Sequence, residues 1–385
     1  MKRHLAIVHM DMHAQTRGGI NVVYQSLIER LARNFQVTLI TQQTESPLTI
    51  PGGRVIALPR TEDLAFHRRV VDATLTAIAP DIVECSTWAA ECLLYAQRPA
   101  QTRAPVLVRA DLSAHTMGIP DYAAAERLLL EHADKIIAVG TWTADDIEQA
   151  YGIRPQIVPN GVDRTQFSPG PANALLTSGQ LVTGGFDSKG KAVCSQDLTP
   201  QIANTERLWE RITTPDQSPV RVMWLGKLTE MKGFDRFQEA VRALRGQAVF
   251  TVVVGHGVSH YDFTIADEPH VQFLQDLNAD DLVSLYRSAH YKLTTSRWEG
   301  FGLADAEALA CGIPVLMPAD LGTTRELLTD GVTGAVWTDV DHLVSILNAQ
   351  PRLTGALPAE FDWDANAATT TELYTQLLTA RKDQR

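Results

Sequence analysis

Two glutamates flank a glycine-containing stretch whose residue types suit two different chemistries. The chain reads E-G-F-G-L-A-D-A-E from Glu299 to Glu307, and an alanine-rich run typical of a helix follows. Paired carboxylates can act as acid and base in glycoside hydrolysis when they lie roughly 5–9.5 Å apart. In a continuous helix these two would lie about 12 Å apart along the axis. The spacing favours two separate hydrogen-bond acceptors with backbone N–H donors between them.

Two lysines flank a predicted strand-to-helix turn earlier in the chain. In the stretch W-L-G-K-L-T-E-M-K-G-F-D, Lys227 closes the strand and Lys232 begins the helix. Ammonium groups placed there can neutralise a diphosphate, each charge pair at ~4 Å contributing roughly 4 kcal/mol before desolvation. Solvated surface lysines are the alternative, but the carboxyl end of a strand favours a ligand role. A sugar nucleotide, which presents hydroxyls, a diphosphate and hydroxyls, matches the lysines and carboxylates together.

Glycines at two other places could also serve phosphate binding. Gly18 and Gly19 lie between the first predicted strand and its helix, where free N–H groups can bind a phosphate, although a turn with positive φ explains them equally well. The stretch 185–191, G-F-D-S-K-G-K, has the spacing of a phosphate-binding P-loop. Its next residue, Ala192, lacks the hydroxyl that would hold Mg²⁺. We therefore interpret 185–191 as a flexible loop.

The elements that must position these residues alternate along the chain. Apolar, β-branched runs such as Q-V-T-L-I-T-Q alternate with helix-like stretches over residues 1–168, and the alternation begins again over 219–363. This pattern predicts two doubly wound, mostly parallel sheets whose ligands bind outside the carboxyl ends of the strands. Residues 169–218, rich in Gly, Ser, Thr and Gln, are interpreted as a linker enlarged by an insertion. Helical spacing over about 364–385 predicts a helix that packs back on the first domain.

Composition and charge exclude several classes of protein. The chain has 385 residues, 45% of them apolar and 21% charged, which predicts a globular protein of two domains. A net charge of −11 argues against nucleic-acid binding, which needs a basic surface. No apolar run is long enough for a stable membrane insertion, and the N-terminus lacks the pattern of a signal peptide. Four cysteines without metal-type spacing indicate a cytoplasmic protein with reduced thiols.

Several motifs in the same order resemble one enzyme family. The stretch E-G-F-G-L-A-D-A-E-A-L-A-C-G-I-P-V closely resembles the E-x7-E signature of retaining GT-B glycosyltransferases, specifically family 4. G-G-I-N-V-V-Y-Q-S-L, I-V-P-N-G-V-D-R-T-Q-F-S-P, G-K-L-T-E-M-K-G-F-D and V-V-V-G-H-G agree with it. The resemblance covers nearly all of the chain except about 170–218. It implies two Rossmann-like domains facing across a cleft: an acceptor-side domain over 1–168 and a nucleotide-sugar-binding domain over 219–363.

The resemblance also implies a set of residues that bind the donor nucleotide sugar. They are Gly18, Gly19, Lys227, Lys232, Glu299, Gly300, Phe301, Gly302, Leu303 and Glu307. Gly19 would contact the leaving phosphate through its backbone, and the two lysines would bind the diphosphate. Glu299 would bind hydroxyls of the transferred sugar, and Glu307 would accept from the ribose. The family usually has arginine at this position. Lys227 keeps the positive charge but lacks the bidentate guanidinium of arginine.

One departure from the family pattern concerns the end of the fifth predicted strand. The family commonly has histidine there, whereas this chain reads L-V-R-A-D-L-S-A-H, which places Asp111 at that position and His115 four residues later. Either side chain could face the cleft and orient donor or acceptor, and a polar loop residue is the alternative for His115. Asp111, His115 and Glu299 are therefore the candidate catalytic residues.

Taken with the resemblance, these residues predict a cytoplasmic retaining hexosyltransferase that needs no metal ion or other cofactor. Its partners would be a nucleotide-diphosphate sugar and a small soluble acceptor, such as a specialised metabolite, a cyclitol or a low-molecular-weight thiol. Alternative functions on the same architecture are a phosphorylase or disaccharide synthase and a sugar-nucleotide epimerase. A degenerate protein that only binds nucleotide sugar is the alternative without enzyme activity.

Overall fold

The chain forms two compact units. The first combines Met1–Gly161 with Glu360–Arg385, and the second is Val162–Ala359. The computed structural model describes residues 2–14, 19–198, 203–213, 219–257 and 268–382. Each unit is built around its own sheet with helices packed against it. This confirms the two α/β units that the alternating pattern predicts.

The first unit contains a seven-stranded parallel sheet in the order β3-β2-β1-β4-β5-β6-β7. Its strands are β1 (Arg3–Val8), β2 (Phe35–Gln42), β3 (Arg54–Leu58), β4 (Ile82–Ser86), β5 (Val106–Ala110), β6 (Lys135–Ala138) and β7 (Gln156–Ile157). The central strands β4 and β5 are buried along their whole length. Burial on both faces explains the apolar residues of these strands, and their two charged residues, Glu84 and Arg109, pair with each other.

The second unit contains an eight-stranded sheet in the order β15-β14-β13-β10-β11-β12-β8-β9. Its strands are β8 (Gln180–Val182), β9 (Ser195–Asp197), β10 (Val220–Gly226), β11 (Ala248–Val254), β12 (Val271–Gln275), β13 (Tyr291–Leu293), β14 (Val315–Pro318) and β15 (Gly334–Trp337). Strands β10 to β15 pair in parallel, whereas β8 and β9 pair antiparallel at one edge. An aromatic group of Trp224, Phe234, Phe237 and Phe250 lies in the core.

The α-helices of both units follow in chain order. They are α1 (Gly19–Leu31), α2 (Leu64–Ile78), α3 (Leu93–Ala96), α4 (Pro120–His132), α5 (Thr141–Tyr151), α6 (Thr205–Glu210), α7 (Phe234–Ala243), α8 (Ala279–Ser288), α9 (Leu303–Ala310), α10 (Thr324–Leu327), α11 (Val340–Ala349) and α12 (Trp363–Lys382). Within the described ranges, none of these helices has the length and apolar content required to cross a membrane.

The last helix, α12, packs on the first unit through buried polar contacts. Glu84 on β4 and Arg109 on β5 form an ion pair, fully buried, with 2.8 Å between Oε1 and Nε. The hydroxyl of Tyr374 donates a hydrogen bond to Glu84, and Arg109 Nη2 donates to Thr370 Oγ1 over 3.2 Å. Removing one partner of a buried ion pair leaves an uncompensated charge, at a cost of about 3–5 kcal/mol. Helix α12 therefore supplies two neutral hydrogen-bond partners to an ion pair that the sheet itself provides.

The segment 169–218, interpreted from sequence as a linker with an insertion, differs in the structure. Its described residues supply β8, β9 and α6, all within the second unit. Phe186 lies in the core with its ring 5.8 Å from that of Phe273, and Trp209 Nε1 donates to Ser288 Oγ over 2.9 Å. The buried Asp281 carboxylate accepts from the Thr177 amide at 2.9 Å. These few anchors hold an otherwise polar segment on the unit.

The boundary between the units also lies earlier than the predicted residue 168. Phe167 packs its ring 6.4 Å from that of Tyr286, and Arg287 Nη2 donates to the Ser168 carbonyl over 2.6 Å. Both partners belong to α8 of the second unit. Because residues after Gly161 make their contacts there, the chain enters the second unit at Val162.

Candidate active site

The predicted donor-binding residues of the second unit meet at one edge of its sheet. Strands β10 and β13 are parallel neighbours, so the loops that follow them leave the sheet at the same edge. The first loop, residues 227–233, carries both lysines and is called the lysine loop. The second, residues 294–302, carries Glu299 and is called the glutamate loop. Helix α9 begins directly after the glutamate loop and carries Glu307.

Lys232 and Glu299 form an ion pair between the two loops. Lys232 Nζ lies 2.6 Å from Glu299 Oε1, and the side chains are 22% and 14% exposed. Ser296 Oγ donates to the same carboxylate oxygen over 2.6 Å. The pair is therefore mostly desolvated while each side chain still reaches solvent. The ion pair therefore places Lys232, predicted to bind the diphosphate, against Glu299, predicted to bind the sugar.

The surroundings of Glu299 keep its carboxyl group ionised. Burial alone would raise the pKa of Glu299. The ammonium of Lys232 and the hydrogen bonds from Lys232 and Ser296 outweigh burial and hold that pKa below its ordinary value. An ionised carboxylate accepts hydrogen bonds and has no proton to donate. Glu299 is thus suited to bind hydroxyl groups, and it is not suited to act as a general acid.

The backbone around Lys232 is fixed by close contact with the glutamate loop. Gly233 has φ +61°, and a Cβ at this position would collide with the Thr295 carbonyl group. Thr295 Oγ1 donates to the Lys232 carbonyl over 2.9 Å and accepts from Trp224 Nε1 at 2.9 Å. The Arg297 amide donates to the Met231 carbonyl over 2.9 Å. Only glycine permits this approach of the two loops, so Gly233 sets the position of Lys232.

Lys227 extends along the loop that follows β11. The Gly255 amide donates to the Gly226 carbonyl over 3.0 Å, which keeps the ends of β10 and β11 together. The Cδ and Cε atoms of Lys227 lie 2.9 Å from where a Cβ of Gly257 would be. A side chain at position 257 would therefore displace Lys227. The packing of Lys227 depends on glycine at this neighbouring position.

The predicted glycine-to-helix transition is present in the glutamate loop. Gly302 has φ +84° and lies directly before α9, which begins at Leu303. Gly300 lies in the loop and Phe301 is buried. The first N–H groups of a helix lack intrahelical partners and carry a partial positive charge. The Asp305 amide donates to the Gly302 carbonyl over 3.0 Å, so Leu303 and Ala304 carry the first two N–H groups of α9 after Glu299, in the order expected from the sequence.

Glu307 lies on α9, half-buried, with a tyrosine partner. Tyr286 OH donates to Glu307 Oε2 over 3.2 Å and lies at the same distance from the Ala304 carbonyl oxygen. Burial, and then the nearby Glu307 carboxylate, raises the pKa of Tyr286 well above its ordinary value, so the phenol stays a donor. Tyr286 therefore orients the carboxylate that the sequence assigns to ribose binding.

A buried network beneath α9 was not predicted from sequence. Lys292 on β13 and Asp305 in the first turn of α9 form an ion pair, and both are almost fully buried. Lys292 Nζ donates to Thr294 Oγ1 over 2.6 Å, and the Thr294 hydroxyl donates to Asp305. The network ties the start of α9 to the strand that precedes the glutamate loop. Lys292 and Asp305 lie 13 residues apart, and no sequence motif reveals their contact.

Of the two glycines predicted to approach a phosphate, Gly18 lies outside the described residues and Gly19 begins α1. Among the described residues, none comes within 4 Å of where a Cβ of Gly19 would be, and its φ is not in the left-handed region. Neither backbone strain nor packing against that part of the chain explains this glycine. An accessible backbone at the start of α1 is consistent with the predicted phosphate contact.

Asp111 and His115 lie at the carboxyl edge of the first unit's sheet, after β5. Asp111 is half-buried, and its Oδ1 accepts from the Leu112 amide at 2.9 Å. His115 is exposed. Neither residue is in the same unit as the Lys232–Glu299 pair. The candidate catalytic residues therefore divide between the units, with Asp111 and His115 in the first and Glu299 in the second.

Two buried carboxylates hold the backbone between Asp111 and His115. Asp146 accepts from the Ser113 amide at 2.7 Å, and Glu126 Oε2 accepts from the Ala114 amide at 2.8 Å. Glu126 is 2% exposed, and burial raises its pKa to about 7 despite a hydrogen bond of 2.6 Å from Tyr151 OH. These carboxylates were not among the site residues predicted from sequence. They fix a loop that holds two predicted site residues.

A further hydrogen-bonded group follows β1 at the same edge of the first sheet. His13 Nε2 lies 2.9 Å from Asp11 Oδ1, and His13 Nδ1 lies 2.5 Å from Thr44 Oγ1. The His13 amide also donates to Asn21 Oδ1 over 3.0 Å. The alternation H-M-D-M-H after the first strand was the available signal in the sequence. These contacts hold His13 against Asp11, Thr44 and Asn21 of α1.

Two family models together match most of the chain. Residues 17–166 match the model described as "Glycosyltransferase Family 4", and residues 206–345 match "Glycosyl transferases group 1". The first lies largely in the first unit, and the second spans the lysine loop, the glutamate loop and α9. The chain belongs to the family 4, or group 1, glycosyltransferases, which confirms the resemblance seen in its motifs.

Similar proteins agree with this assignment. D-inositol 3-phosphate glycosyltransferase of Xylanimonas cellulosilytica is 25% identical, over 93% of this chain and 92% of the relative. A GDP-mannose-dependent phosphatidylinositol monomannoside mannosyltransferase of Mycolicibacterium smegmatis is also 25% identical, over 89% and 88%. Sucrose-phosphate synthase of Thermosynechococcus elongatus has a similar structure, with a TM-score of 0.74, 18% identity and coverage of 98% and 100%. This structural likeness shows the GT-B fold.

Proposed function

We propose that the protein is a retaining, metal-independent glycosyltransferase that moves a sugar from a nucleotide-diphosphate donor to a small, hydroxyl-rich acceptor of the cyclitol class. The single observation that supports this most directly is the Lys232–Glu299 ion pair beside the start of α9. A cation, a row of N–H donors and an ionised carboxylate stand together at the carboxyl edge of the sheet. These groups complement a diphosphate and the sugar attached to it.

The chemistry assigned to this site needs no acid or base from the second unit. The bond between the anomeric carbon and the leaving phosphate oxygen breaks, and a bond to the acceptor oxygen forms on the same face. The acceptor proton passes to the leaving diphosphate. Lys227, Lys232 and the N–H groups of α9 would stabilise the charge that develops on the diphosphate. Glu299, held as an anion by Lys232, would accept hydrogen bonds from the sugar.

The acceptor class is proposed from the relatives and from the first unit. The Xylanimonas relative is named for inositol 3-phosphate, a small cyclitol derivative. The Mycolicibacterium relative is named for a phosphatidylinositol glycolipid, which has the same ring attached to a lipid. Asp111 and His115 would orient acceptor hydroxyls in this scheme. We place the reaction in the cytoplasm because all four cysteines are unpaired and three of them are buried, which fits a reducing compartment.

The donor is tested first by a thermal-shift panel of UDP, GDP, dTDP and ADP with the full chain. A ligand that binds only the folded state stabilises it by about 2.7 kcal/mol at one hundred times its Kd. One base should raise Tm clearly, and Lys232→Ala should abolish that rise. Lys135→Ala is the matched control, because Lys135 begins β6 in the other unit. Folded protein that shows no shift with any of the four nucleotides would refute the proposal.

The acceptor and the stereochemistry are tested with the nucleotide sugar that the panel selects. Inositol 3-phosphate, free inositol, a phosphatidylinositol vesicle and water are offered separately, and the product is analysed by proton NMR. We expect transfer to the soluble cyclitols with the anomeric configuration of the donor. An inverted product would refute the retaining route. Transfer only to vesicles would refute the small-acceptor class.

A further inference from the structure

The hairpin 183–194 docks beside Lys227, although it belongs to the polar segment between the two family matches. The Gly257 amide donates to the Lys189 carbonyl over 3.0 Å. A Cβ at Gly190, whose φ is +66°, would lie 2.8 Å from the Gly257 carbonyl oxygen. On its other side, Gly257 is in close contact with the Lys227 side chain. Gly257 is therefore held between the hairpin and a predicted diphosphate-binding lysine.

A buried glutamine at the end of β12 fastens the hairpin in this position. Gln275 is 1% exposed, and its amide side chain bonds to the hairpin in both directions. Nε2 donates to the Gly190 carbonyl over 2.7 Å, and Oε1 accepts from the Ala192 amide at 3.1 Å. A buried amide that loses these partners is left unsatisfied. Gln275, Gly190, Gly257 and Lys227 thus form one continuous chain of contacts.

The P-loop-like spacing of residues 185–191 does not create a phosphate cradle. The amides of Lys189 and Lys191 both donate to Asp187 Oδ1 over 2.9 Å, and the Gly190 amide donates to the Asp187 carbonyl at the same distance. These three N–H groups, which a phosphate would need, are occupied by Asp187. The turn therefore contacts Gly257 through the Lys189 carbonyl and the backbone of Gly190.

We propose that the hairpin is a positioning element of the nucleotide site, and that Gln275 is a positioning residue for Lys227. By holding the Gly255–Gly257 loop against the aliphatic part of Lys227, it directs the ammonium group toward the bound diphosphate. This inference rests on the proposed function, because it assumes that Lys227 binds the diphosphate of a nucleotide sugar. The hairpin thereby gives the polar segment between the two family matches a role that the family motifs do not supply.

The test is a double-mutant cycle measured by isothermal titration calorimetry with the nucleoside diphosphate, among UDP, GDP, dTDP and ADP, that binds the wild type. Gly190→Ala, which pushes on Gly257, and Gln275→Leu, which releases the hairpin, should each raise Kd about tenfold, as expected for a weakened charge-assisted contact. In a Lys227→Ala background, neither change should raise Kd further. Such non-additivity marks an effect that passes through Lys227.

Gly246→Ala is the matched control for Gly190→Ala. Gly246 also has positive φ, at +81°, but it precedes β11 at the opposite edge of the sheet, and no described residue lies within 4 Å of its Cβ position. The Kd of the Gly246→Ala variant for the nucleoside diphosphate should equal that of the wild type. Circular dichroism checks folding, and if Gln275→Leu does not fold, Gly190→Ala carries the test.

The outcomes separate this inference from the proposed function. An unchanged Kd in folded Gly190→Ala overturns the positioning role while nucleotide binding by the wild type still stands. A tenfold loss that persists in the Lys227→Ala background also overturns it, because the hairpin then acts by another route. If the wild type binds none of the four nucleotides, both the proposed function and this inference fail.

Discussion

Replacing Glu126 by glutamine should make the stability of the first unit less dependent on pH. Two of the hydrogen bonds to this carboxylate, from the Ala114 amide and from Tyr151 OH, end on Oε2. Glutamine can accept both on its single carbonyl oxygen. Its NH2 group can donate to Thr87, whose side chain is hydrogen-bonded to Glu126. The substitution therefore removes the titrating proton while keeping the shape of the site.

The size of the effect follows from the pKa of Glu126. Burial raises that pKa from 4.5 to about 7 in the folded protein, so the folded state binds the proton more tightly than the unfolded state. The stability that this provides is present in full below the unfolded pKa and is lost as the pH rises through about 7. Between pH 5 and pH 8, Glu126 should reduce the free energy of unfolding by about 2.5 kcal/mol.

Differential scanning calorimetry of the full chain at the two pH values measures this effect. For a unit of this size, about 2.5 kcal/mol corresponds to roughly 5–10 °C in Tm. The Tm of Glu126→Gln minus the Tm of the wild type should therefore be larger at pH 8 than at pH 5 by roughly 5–10 °C. Hydrogen exchange of residues 111–119 assigns the transition to the first unit. A difference in Tm between the two proteins that is equal at both pH values would refute the reasoning.

Three further substitutions test the second unit. Glu307→Ala should raise the KM for the donor about tenfold while the fold stays intact, because it removes the proposed acceptor for the ribose; an unchanged KM would exclude that role. Glu299→Gln should lower kcat by about 10²-fold yet leave the Kd for the nucleoside diphosphate within about threefold, and a loss confined to nucleotide binding would contradict the sugar contact. Gly233→Ala should cost at least about 2 kcal/mol more in urea unfolding than Gly331→Ala, which shares positive φ without the collision; equal losses would show that contact with Thr295 is unimportant.

The parallel sheets and the placement of the second unit's site residues could be predicted from sequence because both follow from local patterns. An apolar run such as that of β11 requires burial on two faces, and parallel strands bring their carboxyl-end loops to one edge. Lys232 and Glu299 therefore lie together in the second unit, although 67 residues separate them. Their roles toward a bound donor stay predictions.

The hairpin and the buried networks could not be predicted, because tertiary contacts decide them. Strand β8 has three residues, and its pairing depends on β12, which comes about 90 residues later. Phe186 stands alone among glycines and polar residues, and this composition is typical of a loop. Lys292 lies in a short strand, where a buried ammonium would be unstable without Asp305. Neither residue indicates its partner in sequence.

The docking of α12 has a consequence for the order in which the protein matures on the ribosome. Tyr374 reaches Glu84 across 290 residues of chain, and the whole second unit lies between them. The buried ion pair of Glu84 and Arg109 therefore lacks its contacts with α12 until residue 374 has been synthesised. The second unit, which is one continuous segment, has all of its residues before then. Synthesis of the first unit therefore starts before that of the second unit and ends after it.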